Sequence, residues 1–146
     1  MDKDFIIEKI SLITTGLEKL AGFSNSTFDE IAGDYIKYAA LKNILMEIIG
    51  RAIDINEYLI AQISPADSET PKTYRETFLI LAKLGVLPPD FAREISKSAG
   101  FRNAIVHEYN NLDKSTVYKT VGQAIEQYKA YCRYIAEFIE KSKSAD

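Results

Sequence analysis

Apolar residues recur along this chain at steps of three and four, the period of an amphipathic helix. Ile6, Ile10, Ile13, Leu17 and Leu20 form one stripe and predict a first helix that ends near Gly22. The segment from Phe23 to Phe28 is loop-like, and Asp29 is the expected cap of the next helix. Leu41, Leu45, Ile48, Ala52, Ile55 and Leu59 predict a second, long helix running to about Gln62. The stretch from Ser64 to Pro71 is polar and carries prolines near both ends, which marks a linker. Thr73 with Glu76 three residues later is a capping box for a third helix through Phe78, Leu81 and Leu84, with Gly85 as its stop. Pro88-Pro89-Asp90 opens a fourth, where a proline's missing N–H costs nothing, and Phe91, Ile95 and Ala99 give it an apolar face. Asp113 can cap a last helix whose seam runs through Val117, Val121, Ala124, Tyr128, Tyr131, Ile135 and Phe138. No alternating run is long enough for a strand. The pattern predicts an all-α fold: an up-and-down antiparallel bundle of about five helices, one domain over residues 1–146.

Composition narrows the chemistry. The chain is 47% apolar and 27% charged, an ordinary balance for a single domain with its own core. Eighteen Lys and Arg against 21 Asp and Glu leave a net charge of −3, which argues against coating nucleic acid by bulk charge but permits a local basic site. The single cysteine, Cys132, excludes an intrachain disulfide and any multi-cysteine zinc site. The single histidine, His107, excludes an HExxH centre. Neither a metal nor a cofactor is expected. The start of the chain lacks a signal-peptide apolar core, and no apolar run approaches the ~20 residues of a membrane span. The expectation is a soluble, cytoplasmic protein with no membrane partner.

One segment departs from the rest. Residues Gly100 to Asn111 concentrate Arg102, Asn103, His107, Tyr109 and two further amides beside a loop. Arginine binds phosphate bidentately and stays charged, and histidine can take and return a proton near neutrality. Together they are a minimal kit for phosphodiester cleavage. The bland alternative pairs Arg102 with Glu108 or Asp113 and leaves His107 hydrogen-bonded to a carbonyl at a helix end. Asp54 interrupts an apolar helix, so it either pairs with Arg102 or His107 or faces solvent. Tyr118, Tyr128, Tyr131 and Tyr134 could stack bases, but their helical spacing assigns them to core and dimer surface. Cys132, near the same seam, reads as a small buried hydrophobe.

Arg102-x4-His107-x-Tyr109 resembles the RX4HXY signature of HEPN-domain proteins of the HepT-like family. Further features match in order: Asp54-Ile55, Tyr74-Arg75-Glu76, the run from Leu81 to Pro88, Ala99 to Asn103, Val106-His107 and Leu112-Asp113. The similarity spans roughly Leu41 to Val121. It implies a toxin acting as a metal-independent RNase, encoded beside a minimal nucleotidyltransferase antitoxin that attaches AMP to the motif tyrosine, here Tyr109. Under that reading Arg102 clamps the scissile phosphate of an RNA substrate, His107 moves the proton, and Asn103 orients phosphate or imidazole. The alternative is a non-catalytic helical subunit that presents substrate or nucleotide to a nucleotidyltransferase.

Geometry adds a constraint of its own. Five residues along a regular helix turn about 140° and rise about 7.5 Å, so Arg102 and His107 do not share a face. Convergence on one phosphate needs either a helix break near Val106 or two copies of the motif. A symmetric homodimer would supply the second copy, and the resemblance implies dimers of this kind.

Overall fold

The structure, a computed structural model, describes residues 1–107 and 113–145. Six helices succeed one another: α1 (Lys3–Ala21), α2 (Phe28–Ala32), α3 (Tyr35–Ile63), α4 (Tyr74–Lys83), α5 (Pro89–His107) and α6 (Lys114–Ala145). Among the described residues there is no strand, and no helix is long and apolar enough to cross a membrane. The five long helices are those the periodicity predicts. The short α2 is not.

The difference lies in capping. Asp29 caps nothing; it sits in the first turn of α2, where Thr27 is the N-cap and accepts from the Glu30 N–H at 3.2 Å. The cap of α3 is Asp34, whose carboxylate accepts from the N–H groups of Ile36 and Lys37 at 3.0 and 3.1 Å. An Asp–Glu pair within the first turn also favours α2 electrostatically. The other termini agree with expectation. Thr73 Oγ1 accepts from Glu76 N–H at 3.1 Å, while Glu76 reaches back to the N–H of Lys72 at 2.8 Å. Gly85 adopts φ +81°, a left-handed turn that a Cβ would strain, and releases the chain from α4. Asp113 accepts from Ser115 N–H at 3.0 Å at the start of α6.

The buried stripes meet around α3, which packs against every other helix of the bundle. Leu41, Leu45, Ile48, Ile49, Ala52, Ile55 and Leu59 are wholly buried along it. Antiparallel packing of α1 on α3 is visible in contacts that run in opposite senses: Asp2 N–H to Tyr58 Oη, Lys9 to Asp54, and Gly16 beside Ile48. A Cβ at Gly16 would lie 2.7 Å from Ile48 Cγ1, so a larger residue there would force the Ile48 side chain to shift. α5 runs antiparallel to α6, with Ser98 hydroxyl 2.6 Å from Tyr128 Oη and Phe91 edge-on to Tyr134. Tyr128 and Tyr131 are fully buried, as core residues should be, and Tyr118 and Tyr134 are half-buried. Cys132 packs against this core, where burial pushes its thiol up to about 12.

Candidate active site

α5 delivers the motif. It remains a regular helix through His107, so the described residues contain no break near Val106. Arg102 is half-buried and turned toward α3, with its Nε 3.6 Å from where a Cβ on Gly50 would sit. His107, at the last position of α5, is exposed. Within one chain the two side chains do not converge. Tyr109 and Glu108 lie outside the described residues.

Arg102 opens onto a recess of about 330 Å³ that is also bordered by Lys9, Met46, Glu47, Arg51 and Asp54. Its cations and carboxylates are mostly matched. Lys9 Nζ is 3.0 Å from Asp54 Oδ2, and Arg51 is 3.6 Å from Glu47 one turn away on α3. Arg102 is the exception: among the described residues no carboxylate pairs with it, and its buried Nε has no hydrogen-bond partner. A ring lies beside it instead, with the guanidinium carbon 5.4 Å from the centroid of Tyr74. Three cations against two carboxylates leave the recess one positive charge in excess, and that charge is on Arg102.

The sequence alternatives resolve accordingly. Asp54 pairs with neither Arg102 nor His107; it is half-exposed and holds Lys9 on the recess rim. Among the described residues Arg102 and Asp113 form no pair, and Asp113 is occupied in capping α6. Asn103 lies one position on and therefore about 100° around the helix. It borders a different, larger cavity, formed with the connection after α3 and the start of α4.

The family model for HepT-like ribonucleases matches residues 13–135. The chain belongs to that family. Membership places it in the ribonuclease class of enzymes, in line with a tRNA nuclease HepT of Aphanizomenon flos-aquae that is 32% identical over 135 residues, covering 92% of this chain and 90% of that protein. Solved structures share the fold. A tri-AMPylated Shewanella oneidensis HEPN toxin in complex with its MNT antitoxin superposes with a TM-score of 0.81 at 22% identity, over 94% of this chain and 99% of that one. The cytosolic Bacillus subtilis protein YutE gives 0.82 at 18% identity, over 97% and 93%. The HEPN-like all-α architecture of this family member is thereby established.

Sequence reasoning missed two neighbours of Arg102. Gly50 provides the space against α3, and Tyr74 provides the ring. Tyr74 stands at the first turn of α4, just past the linker, and no periodicity connects it with α5. A buried polar node behind it also escaped notice. Asn56 donates to Thr77 Oγ1 at 3.0 Å, Tyr131 Oη lies 2.6 Å from Asn56 Oδ1 and 3.0 Å from Ala52 O, and Thr77 donates to Tyr74 O at 2.6 Å. An asparagine on the apolar stripe of α3 was the available signal. The node ties α3, α4 and α6 together directly behind the turn that carries Tyr74.

Proposed function

We propose that this chain is a toxin-type endoribonuclease whose cleft forms between two copies of the motif in a symmetric homodimer. The observation that carries it is the partly buried Arg102, unpaired among the described residues, at the edge of a recess where every other cation has a carboxylate nearby. A guanidinium with a shielded Nε and no counter-charge among the described residues is suited to a phosphate, which it can clamp through two parallel N–H bonds. The unbroken helix through His107 supports the two-copy arrangement, since one chain holds the two side chains about 140° apart.

In this reading Arg102 stabilises the charge on the phosphate oxygens. His107 takes the proton of the ribose 2′-OH as that oxygen attacks phosphorus, and the partner subunit's His107 gives a proton to the departing 5′-oxygen. The products are a 2′,3′-cyclic phosphate and a free 5′-hydroxyl, with protons and charge in balance. Asn103 orients the bound RNA, and Asp54 keeps Lys9 beside the recess. Three cations beside two carboxylates that are both paired suit a mechanism that needs no metal ion. The chain works in the cytoplasm beside a minimal nucleotidyltransferase antitoxin, which silences it by attaching AMP to the Tyr109 phenol two positions from His107. The added phosphate competes for Arg102, and the nucleotide fills the cleft.

RNA cleavage by the wild type should persist in EDTA and fall about 100-fold or more in His107→Ala, the scale of a lost general acid–base group. Strict dependence on Mg²⁺ or undiminished cleavage by His107→Ala would remove the mechanism. Intact-mass measurement after co-expression with the neighbouring nucleotidyltransferase should show AMP addition that Tyr109→Phe abolishes. AMP addition without any cleavage by the unmodified dimer would instead favour a non-catalytic subunit that presents nucleotide to its partner.

A further inference from the structure

Asn103 borders a cavity of about 780 Å³ formed by described residues. It lies between the end of α3, the proline-bracketed connection, the start of α4 and the outer side of α5. That size is within the range of small-molecule and cofactor sites. Tyr74 borders this cavity and also carries the Arg102 guanidinium over its ring. Arg102 and Asn103, adjacent in sequence, therefore border two different spaces, and the ring beside Arg102 belongs to the second of them.

The lining has a distinct chemistry. Ile60 and Pro65 supply apolar surface, Glu57 and Thr77 supply polar edges, and Tyr74 is 42% exposed. Among the described residues the Asn103 amide has no hydrogen-bond partner, so both its donor and its acceptor are available. A flat aromatic face beside a free amide is the arrangement that receives an unstacked nucleobase: the ring takes the base's face, the amide its edge. The guanidinium 5.4 Å from the same ring is within one nucleotide's reach of such a base.

We propose that this cavity is a nucleobase pocket for the nucleotide adjoining the phosphate on Arg102, with Tyr74 as stacking platform and Asn103 as reader of the base edge. The inference rests on the nuclease reading for its choice of ligand, single-stranded RNA with a splayed base. It adds a source of sequence preference that lies within one chain, apart from the dimer cleft. The polar connection of residues 64–73, with Pro65 and Pro71 restricting it, forms the outer wall and presets the pocket's width.

The test uses the full-length protein with His107→Ala, so that bound RNA stays intact, and a ribotrinucleotide carrying 2-aminopurine at its centre. Stacking on Tyr74 should quench the 2-aminopurine fluorescence. Tyr74→Leu should abolish the quench and weaken binding about tenfold or more, and Tyr74→Phe should restore both. A trinucleotide abasic at its centre should bind the Tyr74-containing protein with a similar loss, and that loss should vanish in Tyr74→Leu. If Tyr74 merely positions Arg102, the two losses will add, and the pocket is overturned. An unquenched probe, or a quench that survives in Tyr74→Leu, overturns it as well. Cleavage of RNA by the wild type is followed in parallel. Quenching without cleavage keeps the pocket and removes the nuclease reading; cleavage with Tyr74-independent binding removes the pocket alone.

Discussion

Two polar groups flank the first turn of α4, and the fold treats them in opposite ways. Asn56 is wholly buried, and both ends of its amide are satisfied by Thr77 and Tyr131. Arg102 is only partly buried, yet its shielded Nε has no partner among the described residues. A closed network of buried hydrogen bonds rigidifies the elements it joins, whereas a donor left open raises the energy of the free state and lowers the cost of accepting a ligand. The first arrangement serves the bundle, and the second leaves Arg102 open to the ligand the proposed mechanism requires. Tyr38 is a second open group among the described residues. Its buried hydroxyl is likewise unpartnered, but Lys42 and Lys114 lie 4.6 and 5.1 Å from its ring and pack it into the fold.

Placing leucine at each of the two positions would break this comparison if it is wrong. Arg102→Leu should cut RNA cleavage by about 100-fold or more, the scale of a lost transition-state donor, without lowering the urea midpoint. Asn56→Leu should do the reverse, costing about 2 kcal/mol of stability while cleavage per folded molecule stays within a few-fold. Loss of stability in Arg102→Leu comparable to that in Asn56→Leu would make Arg102 another structural residue.

A second, smaller effect probes the closed side of the comparison by pH. Burial raises the phenols of Tyr128 and Tyr131 above their ordinary range and pushes the Cys132 thiol to about 12. Above about pH 8.5 the unfolded chain begins to lose protons that the native core retains, so ν_U falls below ν_N and stability declines. The contribution is complete below the unfolded values and disappears as pH rises through the folded ones. Thermal midpoints measured from pH 8 to 11 should fall steadily, and Cys132→Ala should flatten the early part of the decline. A midpoint constant to pH 11 would mean that these groups are solvated.

The smallest effect belongs to the rim. Removing the half-exposed Asp54–Lys9 pair should cost no more than about 1 kcal/mol in a double-mutant cycle, because water and salt screen it. A larger coupling would show that Asp54 acts on Arg102 through Lys9 and is part of the site.

The five long helices, their caps at Thr73 and Asp113, and the stop at Gly85 were legible in the sequence because each depends on residues a few positions apart. Three- and four-residue periodicity, a capping box and a left-handed glycine are local physics, sufficient for element type and approximate ends. Local rules were weaker before the long helix: the expected cap Asp29 falls inside a short helix that Thr27 caps, and Asp34 caps the long one. Arg102 and His107 were also legible as candidates, as residue types at a recognisable spacing. Their surroundings were not. That Arg102 faces Gly50 and Tyr74, that Asn103 opens on another cavity, and that Asp54 chooses Lys9 are consequences of packing between segments 28 to 52 positions apart. Sequence by itself determined which side chains could do chemistry and on which helices they ride. Only the tertiary structure decided which of them kept a free charge, because desolvation and pairing depend on what the other helices bring alongside.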